Sequence, residues 1–200
     1  MTLHRVVASA GLAVGLATAS WGIAATAGTA AANASARAPN AGLAVSGIAQ
    51  PVSGQDRMFM DEASQINLTE ISLGKYEAAH ATTTTAKRLG ATYAHDHIGA
   101  QADLKKLALR LHVALPTTPG GHNQSTVARI ESEKGAHADV VFAKASVSGH
   151  QAAIAIFRKQ ESAGSNPAVK AYAARYLPML QAHLRLAEHA VSVLTPTPSK

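Results

Sequence analysis

Ionisable side chains interrupt four long apolar stripes of this sequence, at positions that would otherwise face a core. They are Glu70, His97, His150 and His183, and each has apolar neighbours three or four residues away on both sides. This spacing keeps residues on one face of an α-helix. A polar group in a core costs free energy unless it is paired. One such group in each stripe therefore predicts that the four side chains meet.

The chemistry open to these residues includes metal binding. Three imidazoles and one carboxylate form a competent ligand set for zinc, iron, manganese or copper. Two neighbours, Tyr93 and Asp96, could orient the ligand rings. The sequence thus predicts a candidate site for one divalent transition metal, with these ligands: Glu70, His97, His150 and His183.

The same side chains also fit a buried hydrogen-bond network without a metal. In such a network Glu70 accepts from one histidine, and Tyr93 or Tyr176 donates to another. Networks of this kind can fix helix register. A third interpretation leaves the four as separate residues, since a buried histidine usually has a local partner. The leading interpretation is the network, in a protein without catalytic activity; a metal-binding or oxidoreductase domain is the alternative.

Other catalytic chemistry has little support in the sequence. The chain contains no cysteine, which excludes disulfides, thiolate metal sites and a cysteine nucleophile. We find no nucleophile-elbow motif, glycine-rich phosphate loop or dinucleotide fingerprint.

Helical periodicity extends over most of the chain after residue 54 and predicts an all-α fold. The predicted long helices cover residues 55–80, 86–114, 136–162 and 167–194, with a short helix over 125–133. Two antiparallel hairpins joined by a longer connection make a four-helix bundle. Pairing residues about each turn places Glu70 about 6 Å from the level of His97, at 1.5 Å per residue. This geometry permits one shared cluster without requiring it.

The N-terminus has the features of a secretory signal peptide over residues 1–36. Arg5 precedes an apolar run that reaches about Ala27, and Ala34-Ser35-Ala36 fits a cleavage site. A retained membrane anchor fits less well, because the run is rich in small residues and only moderately apolar. Residues 37–53 are predicted to be a flexible linker, 54–194 the bundle and 195–200 a disordered tail. The expected location is secreted or in the cell envelope.

The formal net charge of +6 favours anionic partners. Its basic residues are dispersed and lack interleaved aromatic residues that could stack on bases, so we expect no nucleic-acid partner. A basic adhesin for anionic polymers of the cell envelope is a further functional hypothesis. The sequence does not indicate an oligomeric state.

Three segments resemble an exported bacterial family, the domain of unknown function 4142. The segments are the run Glu70-Ile-Ser-Leu-Gly-Lys-Tyr, the run Tyr93-Ala-His-Asp-His97, and the run Leu177-Pro-Met-Leu-Gln-Ala-His183. The resemblance implies a signal peptide, a ferritin-like bundle and an envelope location, in some members the outer membrane. It implies no established biochemical activity.

The sequence departs from the di-iron proteins of the ferritin-like superfamily. Those proteins carry Glu-x-x-His pairs, whereas Ala94 precedes His97 by three residues and Leu180 precedes His183. Ferroxidase activity is therefore not expected.

Overall fold

The structure is a computed structural model that describes residues 51–195, apart from the side chains of residues 121 and 122. The described residues form five α-helices and no strand. They are α1 (Gly54–His80), α2 (Thr84–Leu111), α3 (Gly121–Ser132), α4 (Gly135–Ala163) and α5 (Pro167–Leu194). The predicted signal peptide, most of the predicted linker and residues 196–200 of the predicted tail lie outside this range.

The four long helices form an antiparallel bundle. Helix α1 packs on α2 and α4, and α5 packs on α4 and α2. The start of α4 lies at the α1–α2 turn, where Asp139 accepts hydrogen bonds from the backbone N–H groups of Thr82 and Thr83. The connection between α2 and α4 therefore runs the length of the bundle, and α3 packs from it onto α1 and α4. One long crossover is typical of ferritin-like folds. The prediction of an all-α, antiparallel four-helix bundle with a short extra helix in the central connection is confirmed.

Asp56 ties the other end of the bundle together. Its carboxylate and the Ser53 side chain form a reciprocal capping box at the start of α1. The same carboxylate accepts from Gln160 Nε2 at 2.6 Å and from the backbone N–H groups of Ser165 and Asn166 at 3.1 Å. Burial alone would raise the pKa of Asp56, but these hydrogen bonds outweigh it and lower the pKa. The start of α1 is thereby fixed to the α4–α5 turn.

Close contact between α1 and α2 depends on glycine. A Cβ on Gly90 would lie 2.7 Å from Gly74 O, and a Cβ on Gly74 would lie 2.6 Å from Gly90 O. Real Cβ atoms do not approach backbone so closely, so a larger residue at either position would push the helices apart. This crossing lies near the α1–α2 turn and sets the spacing of the two helices that carry Glu70 and His97.

A polar layer separates two apolar clusters in the core. One cluster contains Phe59, Leu104 and Phe157 towards the start of α1. The other contains Leu73 and Phe142 towards the α1–α2 turn. The polar residues predicted in the four stripes, which include the three histidines, lie between these two clusters, at mid-height of the bundle.

Several sequence-based boundaries need correction. Helix α2 ends at Leu111, three residues before the predicted end, because His112 adopts a left-handed conformation with φ of 52°. Helix α3 begins at residue 121, four residues earlier than predicted. On α5, Leu186 follows His183 by three residues but is 43% exposed, whereas Leu180 and Ala187 are buried. The helix continues across Pro178.

Helix α4 is, within residues 51–195, the one helix long and apolar enough to cross a membrane by length and composition. Its buried residues include Phe142, Ile154 and Phe157, which belong to the core clusters. A core helix of a bundle has the same length and composition, so this feature gives only weak support for a membrane span.

Candidate metal centre

Three of the four predicted histidine and carboxylate positions converge in the polar layer. His97 comes from α2, His150 from α4 and His183 from α5, and none is more than 1% exposed. One ring nitrogen of each lies within 4.8 Å of one ring nitrogen of each of the others. The ring centroids are 5.3 Å apart for His150 and His183 and 5.4 Å for His97 and His183. We call these three residues the histidine triad.

Each triad imidazole donates a hydrogen bond from one ring nitrogen to an acceptor outside the triad. The three pairs are His97 Nδ1 to Asn67 Oδ1 at 2.8 Å, His150 Nδ1 to Ser146 O at 2.9 Å and His183 Nε2 to Asp96 Oδ2 at 2.9 Å. Carbonyl and carboxylate oxygens only accept, so the bonded ring nitrogen carries the hydrogen in each case. The other nitrogen of each neutral ring therefore holds a lone pair.

The lone-pair nitrogens of His150 and His183 lie close together. His150 Nε2 and His183 Nδ1 lie 3.3 Å apart, and two lone pairs cannot hydrogen-bond to each other. His97 Nε2 is buried and has no hydrogen-bond partner among the described residues. A tetrahedral zinc ion with Zn–N bonds of about 2.0–2.1 Å would separate its nitrogen ligands by about 3.3–3.4 Å. The geometry of this pair matches that separation.

Electrostatics keep two of the three triad rings, those of His97 and His183, in the form that binds a metal. Burial lowers the pKa of His97 well below its usual value, and His183 and His150 lower it further. Burial also lowers the pKa of His183, although its hydrogen bond to Asp96 offsets part of that change. These two rings are therefore neutral near pH 7, and neutral imidazole is the form that ligates metals.

The two predicted orienting residues act in different ways. Asp96 binds a triad ring nitrogen directly, and its own side chain is 34% exposed. Tyr93 instead donates its hydroxyl hydrogen to the backbone oxygen of His183 at 3.0 Å. The Tyr93 ring also lies 4.7 Å from the rings of both His150 and His183. Burial raises the pKa of Tyr93, so the hydroxyl stays protonated and continues to donate.

Glu70 does not join the triad. It is buried on α1, but its carboxylate oxygens are not among the ligand atoms that lie within 4.8 Å of one another. Glu70 Oε2 has no hydrogen-bond partner among the described residues. Burial raises the pKa of Glu70, and attraction to His150 offsets part of the rise. The predicted ligand set is thus divided into three converging histidines and one neighbouring carboxylate.

Sequence reasoning missed the polar residues that hold Asn67 in place. Asn67 Nδ2 donates to Gln101 Oε1 at 3.1 Å and to Tyr172 Oη at 3.2 Å. Gln101 Nε2 in turn donates to Ser64 Oγ at 2.9 Å. These contacts use both amide hydrogens of Asn67 and leave its oxygen for His97. Helical spacing from Ala63 and Glu70 could have identified Asn67 as an inward polar residue.

Comparisons with known proteins agree with this fold. A family model described as a domain of unknown function (DUF4142) matches residues 42–190. Among solved structures, the chain is similar to a DUF305 fragment from Deinococcus radiodurans, with a TM-score of 0.64 and 14% identity. That match covers 72% of this chain and 99% of the fragment. At this identity it supports the fold alone. The search of curated proteins finds no match.

Proposed function

The chain belongs to the DUF4142 family, whose model matches residues 42–190, and from that premise we propose that it is a metal-binding helical-bundle protein. The proposed site holds one divalent transition-metal ion on His97, His150 and His183. The family description assigns no activity, so the proposal depends on the site. The metal is proposed as a bound ion, and no reaction is assigned to it.

One observation carries the proposal: each of three buried imidazoles places a ring nitrogen within 4.8 Å of a ring nitrogen of the other two. The alternative network without a metal needs a hydrogen donor among the inward nitrogens. A single proton between His150 and His183 would charge a buried pair and still leave His97 Nε2 without a partner. A metal ion would satisfy all three nitrogens at once. The outer hydrogen bonds to amide, carbonyl and carboxylate oxygens are those that usually orient metal-bound histidines.

The donor set favours a particular class of metal. Imidazole nitrogen suits zinc, copper, iron and nickel, whereas magnesium and calcium prefer oxygen ligands. Three protein ligands leave a fourth tetrahedral position for water or another group. We therefore propose zinc or copper ahead of the harder ions, with the burial of the triad protecting the bound ion from solvent.

Residues 1–36 support a location outside the cytoplasm, because their basic start, apolar run and small-residue cleavage pattern are typical of export signals. We propose that the mature protein acts in the cell envelope or is secreted. An anionic envelope surface remains the proposed partner for its basic charge. Cell fractionation with N-terminal sequencing of the mature chain tests the location.

Elemental analysis tests the metal proposal. The protein is purified without chelator, loaded with excess Zn²⁺ or Cu²⁺ and desalted. We expect about one ion per chain in the wild type, and loss of binding in His97→Ala and His183→Ala. His189→Ala is the matched control, since His189 is exposed on the same helix as His183. A wild type that takes up no metal, with both triad variants merely less stable, would instead support the hydrogen-bond network.

A further inference from the structure

A cavity of about 580 Å³ opens between α1, α3 and α4, and its lining includes Gly149, which directly precedes His150. Helix α3 of the crossover forms one wall, with Ile130 and Arg129 facing the cavity. The α4 wall consists of small residues apart from Ile156, and Ser148, Gly149 and Ala152 are exposed there. Solvent therefore reaches the interior of this cavity.

Glu70 forms part of the inner surface of the cavity. It is only 9% exposed, yet it lines the cavity together with Ser146 and Gly149. Its Oε1 atom lies 3.8 Å from the point that a Cβ on residue 149 would occupy. The other carboxylate oxygen has no hydrogen-bond partner among the described residues. A buried carboxylate without a partner is costly, and a cation entering the cavity would supply that partner.

The residues beside Glu70 connect the cavity to the triad. Ser146 lines the cavity, and its backbone oxygen accepts the Nδ1 hydrogen of His150. Gly149, also in the lining, directly precedes His150 in the chain. Glu70 itself interacts electrostatically with His150. The carboxylate thus lies at the surface of a solvent-accessible space, next to α4 residues that flank His150.

The opposite approach to the triad does not offer the same chemistry. There the half-exposed Asp96 meets His183 Nε2 at 2.9 Å. That nitrogen carries a hydrogen, and the lone pair of His183 lies on the far side of its ring. A cation arriving at Asp96 would therefore meet no free imidazole nitrogen.

We propose that this cavity is the entry path for the metal ion and that Glu70 is the transfer ligand that binds the ion before the triad does. This inference rests on the proposed metal-binding function. A carboxylate is a natural first ligand for a partly hydrated divalent cation, and imidazole nitrogens bind late transition metals in preference to it. The lining also contains two exposed charges of opposite sign, Glu62 on α1 and Arg129 on α3, so the attraction of a cation to this path depends on Glu70.

Stopped-flow capture of Co²⁺ by the metal-free, full-length mature protein tests the entry path. Co²⁺ is the probe because its visible absorption rises when it is bound in a tetrahedral nitrogen site. We expect Glu70→Gln to slow Co²⁺ capture by about tenfold or more, because it raises the free-energy barrier to entry. The final absorption should stay the same, because the triad that holds the ion is unchanged. Gly149→Leu, which places a side chain in the cavity, should slow capture in the same way.

Matched controls separate local from general effects. Glu188→Gln removes the same charge from an exposed position of α5, and Gly99→Leu adds the same side chain where a Cβ meets open space. Both should capture Co²⁺ at rates within about twofold of the wild type. Circular dichroism checks that each variant is folded. If Gly149→Leu does not fold, Glu70→Gln alone tests the entry path.

The outcomes distinguish the two proposals. Wild-type rates in both Glu70→Gln and Gly149→Leu would overturn the entry path and leave the metal site intact. A lower final absorption in Glu70→Gln would also overturn it, because Glu70 would then be a permanent ligand. No absorption change in the wild type would overturn the metal function and the entry path together.

Discussion

His150 Nε2 lies 3.3 Å from His183 Nδ1, and in the neutral form of the two rings neither of these nitrogens carries a hydrogen. Each ring has already donated its hydrogen outward, to Ser146 O and to Asp96 Oδ2. Two lone pairs in contact repel each other unless a proton or a metal ion lies between them. The fold holds this contact in place, because the two helices pack against each other along their length.

Metal binding should therefore stabilise the protein. An ion that binds only the folded state adds about 2.7 kcal/mol when its free concentration is a hundred times Kd. We expect Zn²⁺ to raise the Tm of the wild type by several degrees and excess EDTA to reverse the rise, as measured by differential scanning calorimetry. His183→Ala should show no rise, whereas His189→Ala should behave as the wild type. An equal rise in His183→Ala would contradict binding at the triad.

Asp96 should tune the affinity of the site by orienting His183. Asp96→Asn keeps the size of the side chain but weakens the acceptor for the Nε2 hydrogen, and changes of this kind typically reduce metal affinity about 10–100-fold. Competition with a zinc chelator measures the change. Asp103→Asn, two turns further along α2 and in contact with Tyr176 and Lys106, is the matched control and should leave Kd unchanged. Equal affinities in the two variants would show that Asp96 does not orient the ring.

The histidine triad was predictable from the sequence because helical periodicity alone places His97, His150 and His183 on inward faces. Antiparallel pairing about the two turns then brings them to nearly one height. The same pairing predicts Glu70 one layer away from His97, and in the structure its carboxylate is not part of the triad. A shift of one helical turn along α1 decides whether this carboxylate is a metal ligand or only a neighbour of the site. Helical periodicity does not resolve a shift of that size.

The partners of the triad were harder to predict, for physical reasons that differ between them. Ser146 contributes its backbone oxygen, a group that every residue possesses, so no side-chain pattern reveals it. Asn67 contributes a side chain, but its role depends on Gln101 and Tyr172 occupying both of its amide hydrogens. Such a network is a property of packing between three helices. Leu186 lies about one turn after His183 yet is 43% exposed, because at that point the buried face of α5 passes through Ala187.

The glycine crossing of α1 and α2 predicts a sharp difference between two alanine variants. In Gly90→Ala the new Cβ would lie 2.7 Å from Gly74 O and 2.8 Å from Glu77 Cβ. We expect it to lower the free energy of unfolding by about 2–3 kcal/mol, as overpacking does. In Gly99→Ala the Cβ meets open space on an exposed face, so this variant should gain about 0.5–1 kcal/mol from helix propensity. Urea unfolding of both variants measures the changes, and similar values would contradict the close crossing.

Glu77 predicts how stability changes with pH. Burial, with a further contribution from Asp139, raises the pKa of Glu77 from 4.5 to about 7. Between these two values the folded state binds more protons than the unfolded state, so stability falls as the pH rises through this window. Glu77→Gln cannot ionise and should escape that loss. In EDTA the free energy of unfolding of Glu77→Gln should match that of the wild type near pH 5 and exceed it by roughly 2–3 kcal/mol at pH 8. Urea unfolding across this range measures the difference. Glu62→Gln removes a carboxylate from an exposed position of the same helix and is the matched control. A pH-independent difference between Glu77→Gln and the wild type would mean that Glu77 ionises normally in the folded protein.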